Sequence, residues 1–137
     1  MSHVRQQLRQ QVATLLATSG YTVFSSRRYT LDESELPCIT VSTDGDKVDY
    51  LTEHGPSVQE RTVPVRVDGY VKQTDNVDNA LDNISVAVEK LLDALDNGEY
   101  AGCEISIGVL GNQPVGIVSM LYRIKVCTES DAPEVIL

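Results

Sequence analysis

Residues 62–71, with the sequence TVPVRVDGYV, constrain the fold more than any other stretch of the chain. Apolar and polar side chains alternate along them, with Val63, Val65 and Val67 on one face. A period of two is typical of a β-strand that buries one side. Pro64 has no amide hydrogen to donate to a ladder, so it predicts a sheet edge or a bulge at this point.

Directly after this strand, the spacing between apolar residues changes from two to an average between three and four. This spacing predicts an amphipathic helix that is capped by Thr74 or Asp75 and ended by Asn97-Gly98. The stripe is broad, which favours packing on a sheet over a two-helix zipper. The residues that recur at helical spacing are Val77, Leu81, Ile84, Val88, Leu91 and Leu95.

The remaining segments complete an α+β pattern. Residues 3–18 have helical periodicity, and residues 39–43, ITVST, form a mostly β-branched run after Pro37. Residues 44–57 are polar and predict a long hairpin loop with an extended arm at 48–51, while residues 103–109 and 118–126 alternate as a hairpin. The order predicts an α+β domain with a largely antiparallel β-sheet and two main helices packed against it. We expect one domain over residues 1–128 and a flexible C-terminal tail over 129–137.

The charge balance bears on possible partners. The chain has 20 acidic and 11 basic residues, a net charge of -9. Such a surface repels phosphate backbones, which disfavours tight nucleic-acid binding but allows DNA to pass nearby without being held. No apolar run is long enough for a membrane span, and no signal peptide is evident, so we expect synthesis in the cytosol.

The three cysteines, Cys38, Cys103 and Cys127, lack the close spacing of a zinc or redox motif. Each lies in a predicted strand. We therefore expect buried, reduced thiols that pack as small apolar residues.

The sequence contains few groups that could carry out catalysis. Its two histidines are His3 and His54, and glycine-rich phosphate loops and GxSxG motifs are missing. Asp44, Asp46 and Asp49 are the nearest approach to a calcium loop, but they lack its fifth-position ligand and sixth-position glycine. We expect no enzyme activity, cofactor or metal. A small hydrolase or ligand-binding domain with a pocket at His54 is the alternative from another functional class.

Residues 23–41, VFSSRRYTLDESELPCITV, carry a resemblance to a known family. Val23-Phe24 precedes Arg27 and Arg28, and an acidic turn then leads through Glu35-Leu36-Pro37 into an apolar strand. In this respect the chain resembles the bacteriophage tail terminator proteins, the family of the lambda-like minor tail protein U. The order of elements over residues 1–128 is similar as well.

The resemblance implies a structural virion protein rather than an enzyme. Its members form a hexameric ring on the last ring of the major tail tube protein, although single chains can be monomeric in dilute solution. The ring stops tube polymerisation and gives the head or neck connector proteins a surface to join. DNA passes through it without specific binding. A head-completion or neck connector protein of similar fold is the alternative within phages.

Taken with the acidic loop and the predicted sheet edge, the resemblance implies a set of residues at the interface with another subunit or with the tube. Arg27 and Arg28 are expected to be free for such contacts. The full set is Arg27, Arg28, Asp44, Asp46, Asp49, Tyr50, Leu51, Glu53, Pro64 and Arg66.

Overall fold

A computed structural model describes residues 2–51 and 57–137. It contains two helices and a six-stranded, mostly antiparallel sheet, which confirms the predicted α+β class. The helices are α1 (Val4–Leu16) and α2 (Val77–Leu92). The strands are β1 (Thr22–Phe24), β2 (Cys38–Thr43), β3 (Lys47–Tyr50), β4 (Val58–Lys72), β5 (Gly98–Leu110) and β6 (Gln113–Glu129).

The strand order across the sheet is β1-β2-β4-β6-β5, and β3 pairs with β4 beyond the end of β2. All pairings are antiparallel except that of β1 with β2. In the part of the chain that the structure describes, β5 is therefore the outermost strand on one side. The short strands β1 and β3 lie on the other side.

Both helices pack on one face of the sheet, which we call the helix side. Valines of β4 that alternate in the sequence are fully buried there, as predicted. Burying each such side chain contributes about 1.5–3 kcal/mol, so this layer supplies most of the driving force for folding. The helical residues buried against the strands are Val4, Leu8, Val12 and Leu16 of α1 and Leu81, Ile84, Val88 and Leu92 of α2.

The helix ends agree only in part with the expected signals. Gly20 follows the short 3-10 turn after α1 with φ of 88°, a left-handed conformation that glycine adopts without strain. At α2 the predicted caps are wrong, because Asn76 occupies the cap position. The helix also stops at Leu92, and Leu95 is buried from the turn that follows.

Pro64 lies at a bulge and not at an edge, since β4 is an interior strand. The pairing of β2 with β4 ends at Thr43 opposite Val65, and the pairing of β3 begins at Lys47 opposite Thr62. Three residues, 44–46, therefore face the two residues Val63 and Pro64. The missing amide hydrogen of proline falls where the ladder is already interrupted. The predicted arm at 48–51 is largely the strand β3.

The opposite face of the sheet, the outer side, is covered at one end by residues 25–37. A second apolar cluster lies beneath this segment and contains Leu31, Cys38, Tyr70 and Val115. Cys38 is buried as expected, but Cys103 is exposed and Cys127 is half-buried, so the expectation of three buried thiols is wrong. Cys103 is exposed because α2 lies over β4 and β6 and meets β5 only at its first residues, near Tyr100.

Residues 130–137 follow β6 and return towards α1. The amide of Val4 donates to the Pro133 carbonyl (3.2 Å), and Gln7 Nε2 donates to the Glu134 carbonyl (2.6 Å). The amide of Leu137 donates to the Cys127 carbonyl (2.9 Å). The flexibility of this tail stays a prediction, as does the domain boundary at residue 128.

Neither helix, over the residues described, has the length and apolar character needed to cross a membrane.

Candidate functional site

Three of the predicted interface residues form one ion-pair cluster on the outer side. Asp44 accepts from Arg27 through Oδ1 and from Arg66 through Oδ2, the latter at 3.2 Å. Arg27 Nη2 also donates to the Thr43 carbonyl at 3.0 Å, at the exposed edge of β2. The Arg27 side chain remains 52% exposed, so it can still accept a further anion. It is held in place by its own chain rather than being free.

Arg28 is engaged separately. Its guanidinium pairs with Glu35 at 3.0 Å and lies 4.3 Å from the centroid of the Phe24 ring. A cation above an aromatic face contributes about 0.5–1 kcal/mol at a partly exposed site. These contacts fix the turn between β1 and β2, so Arg28 stabilises this segment in the isolated chain.

Asp46 lies in a third group, between Arg61 and Arg5. Its side chain is 8% exposed and that of Arg61 is 11% exposed, so the pair is almost completely buried. Burial alone would raise the pKa of Asp46, but the hydrogen bond and charge of Arg61, followed by those of Arg5, outweigh it and lower the pKa. Asp46 thus joins α1 to the β3–β4 hairpin and is not available to a partner.

The remaining predicted residues lie at or near β3. Asp49, Tyr50 and Leu51 are exposed, whereas Glu53 falls outside the described residues. Pro64 lines an open cleft of about 480 Å³ on the outer side. The other residues that line the cleft are Asp44, Asp46, Lys47, Thr62 and Arg123. The predicted set therefore divides into separate clusters at one edge of the sheet.

The opposite edge, β5, was missed as a candidate. It is 13 residues long, and Ile105, Ile107 and Val109 are 49%, 54% and 63% exposed on the helix side. Ile107 pairs with Gly116 of β6, which lies under α2, but α2 does not extend over this part of β5. A long edge strand with exposed apolar side chains is unusual unless another chain covers it.

The sequence held a signal for this edge. Residues 103–109 alternate like residues 63–67, but two helices of 13 and 16 residues are too few to cover five neighbouring strands. One outer strand had to remain uncovered on the helix side. The strand that stays bare is the one at the end of the β5–β6 hairpin.

On the outer side, polar groups connect the two edges in a line, here called the polar row. Arg27 pairs with Asp44, Asp44 pairs with Arg66, and Arg66 Nη1 donates to Ser119 Oγ at 2.9 Å. Ser119 lies opposite Glu104 in the β5–β6 register. The row begins with a cation beside β2 and ends with a carboxylate on β5.

A small cavity lies at the Arg27 end of this row. Its volume is about 330 Å³, and it is lined by Arg9, Ser26, Arg27, Tyr29, Ser42 and Thr43. Arg9 Nη1 donates to Thr43 Oγ1 at 3.3 Å, but Arg9 Nε is buried without a hydrogen-bond acceptor among the described residues. The guanidinium groups of Arg9 and Arg27 both line this cavity, so an anion from outside the chain would meet positive charge there.

Across residues 2–51 and 57–137, no group of three or more His, Cys, Asp or Glu side chains is placed to hold a metal ion. The site is therefore described by its charges and its exposed apolar strand. Comparison of the sequence with protein-family models and with curated proteins gives no match to either.

Proposed function

We propose that this chain is a phage tail terminator, a structural subunit that forms a ring on the end of the tail tube. The observation that carries the proposal is the exposed edge strand β5, with Ile105, Ile107 and Val109 uncovered on the helix side. Because residues 23–41 resemble the terminator family, we assign this edge to contacts with neighbouring subunits. A terminator must bind its own copies around a closed ring and must bind the tube at one end only.

The ring would stop polymerisation of the major tail tube protein and present a joining surface to head or neck connector proteins. It would be assembled in the cytoplasm of a bacterial host and remain in the virion at the head-proximal end of the tail. No reaction is part of this role. The net charge of -9 per copy would allow DNA to pass through without being bound.

The test is to add the purified chain to polymerising tail tube protein and measure tube lengths by negative-stain electron microscopy. We expect tubes that become shorter as the ratio of chain to tube protein rises. An unchanged length distribution, with the chain absent from pelleted tubes, would reject the terminator role. Binding to head connectors without any effect on tubes would favour a head-completion or neck protein.

A matched pair of variants makes the test specific to β5. Ile107→Lys places a charge on the exposed apolar strand, and Val86→Lys places the same charge on α2 at a position of similar exposure (54% and 50%). We expect Ile107→Lys to abolish tube shortening and Val86→Lys to retain it. Both substitutions are at exposed positions, so both proteins should fold.

A further inference from the structure

We infer that β5 of one copy docks against the uncovered end of β2 of the next, residues 41–43 beyond β1, with Glu104 entering the cavity between Arg9 and Arg27. This inference rests on the proposed ring and names the surfaces that would close it. The occupant of the β5 edge is thus a second copy of this chain. Two different surfaces meet, which is the arrangement that generates rings.

Charge complementarity supports a second copy in this position. The polar row runs from Arg27 through Asp44, Arg66 and Ser119 to Glu104 across the outer side. Glu104 is exposed, and no described residue forms an ion pair with it. Placing two copies edge to edge would set Glu104 beside Arg27 and continue the alternation of charges into the next subunit.

The two ends of the polar row also lie at similar positions along the strand direction. Across the sheet, Gly102 of β5 pairs with Leu121 of β6, and Leu121 pairs with Arg66 of β4. Arg66 in turn pairs with Ser42 of β2, which lines the cavity. Glu104 lies two residues further along β5. A small displacement along the strands, such as sheet closure produces through strand tilt, would bring the carboxylate to the cavity.

The strand directions are compatible with the same contact. β5 runs parallel to β4, because both are antiparallel to β6, and β2 runs antiparallel to β4. A rotation about an axis along the strands would therefore place β5 antiparallel to β2 of the next copy. The helix layers would remain on the same side, so Ile105, next to Glu104, would face the layer that contains the neighbouring α1.

Cross-linking between single cysteines tests the contact. The background protein carries Cys103→Ser and Cys127→Ser and keeps Cys38, which is buried with its pKa raised to about 11 by burial. Glu104→Cys and Arg27→Cys are made separately in this background. Each protein alone and a 1:1 mixture are treated with a short bismaleimide, both in concentrated solution and on pelleted tubes.

We expect cross-linked pairs in the mixture and none with either protein alone. Cross-linking of Glu104→Cys to itself would show a symmetric β5–β5 contact and overturn the inference. Replacing Arg27→Cys by Lys90→Cys, an exposed position on α2, is the matched control and should give no product. Absence of product in the first mixture also overturns the inference.

The outcomes separate this inference from the proposed function. Tube shortening without the cross-link would leave the terminator role intact and reject the Glu104–Arg27 contact. A cross-link without tube shortening would support the contact and reject the terminator role. Charge reversal gives a second readout: Glu104→Arg should weaken self-association about tenfold, and mixing it with Arg27→Glu should restore a matched interface.

Discussion

Gly69 of β4 lies directly beneath Ile84 of α2: a Cβ built on Gly69 would come within 2.7 Å of Ile84 Cγ2. Val118 Cγ1 lies 3.0 Å from the same point. The absence of a side chain at this position lets α2 approach the centre of the sheet. Because α2 sits over β4 and β6, its position also determines that β5 stays uncovered.

Gly69→Ala should therefore destabilise the fold by about 1–3 kcal/mol, because the added methyl group must displace buried side chains. Chemical denaturation of both proteins measures the difference. Gly108→Ala is the control, since its nearest neighbour, Ile117 Cδ1, is 4.0 Å away. Equal losses of stability in Gly69→Ala and Gly108→Ala would mean that α2 is not packed on Gly69 as described.

Asp46→Asn should cost about 3 kcal/mol at neutral pH, because it leaves the buried Arg61 guanidinium without its ionised partner. The lowered pKa of Asp46 gives a second signature. A carboxylate with a lowered folded pKa stabilises the fold above its unfolded pKa, about 3.9, and this stabilisation is lost as the pH falls through the folded pKa.

The difference in stability between wild type and Asp46→Asn should consequently shrink as the pH is lowered below about 4. Unfolding curves between neutral and acid pH measure this. Asp49→Asn, at an exposed position on β3, should match wild type at neutral pH. A difference that stays constant with pH would contradict the ion pair.

Deletion of residues 130–137 should lower stability by about 1–3 kcal/mol. The deletion removes the acceptor for the Val4 amide and the Leu137 donor to Cys127, and such bonds contribute about 0.5–1.5 kcal/mol each. Thermal unfolding of the truncated and full chains compares them. Ile136→Ser is the control, because it keeps these backbone hydrogen bonds and should unfold like wild type. A truncated chain with the stability of wild type would instead support the flexible tail predicted from the sequence.

The sequence predicted the fold class well, because residues 62–71 and 77–95 have periods that only one type of element satisfies. It did not predict which apolar face remains exposed. Residues 103–109 have the same alternation as the valines of β4, and their burial depends on where α2 lies, which is a long-range property.

The candidate site was less predictable. Arg27 and Arg28 could be selected from the sequence, but Asp44, the partner of Arg27, lies between β2 and β3, and Arg66, the second partner of Asp44, lies on β4. Arg5 and Asp46 are separated by 41 residues, and local spacing carries no information about such a pair. The adjacency of Glu104 to Ser119 follows from the tight turn at Gly111-Asn112, because the β5–β6 register is constant from Leu110 opposite Gln113 to Gly102 opposite Leu121.

We propose that copies of this chain close a ring at the end of a tail tube. The most direct measurement is electron microscopy of tube ends formed in its presence, with averaging of end views to count the subunits. We expect a closed ring of six copies on the end, joined through β5. Bare tube ends, with the chain remaining monomeric at high concentration, would contradict it.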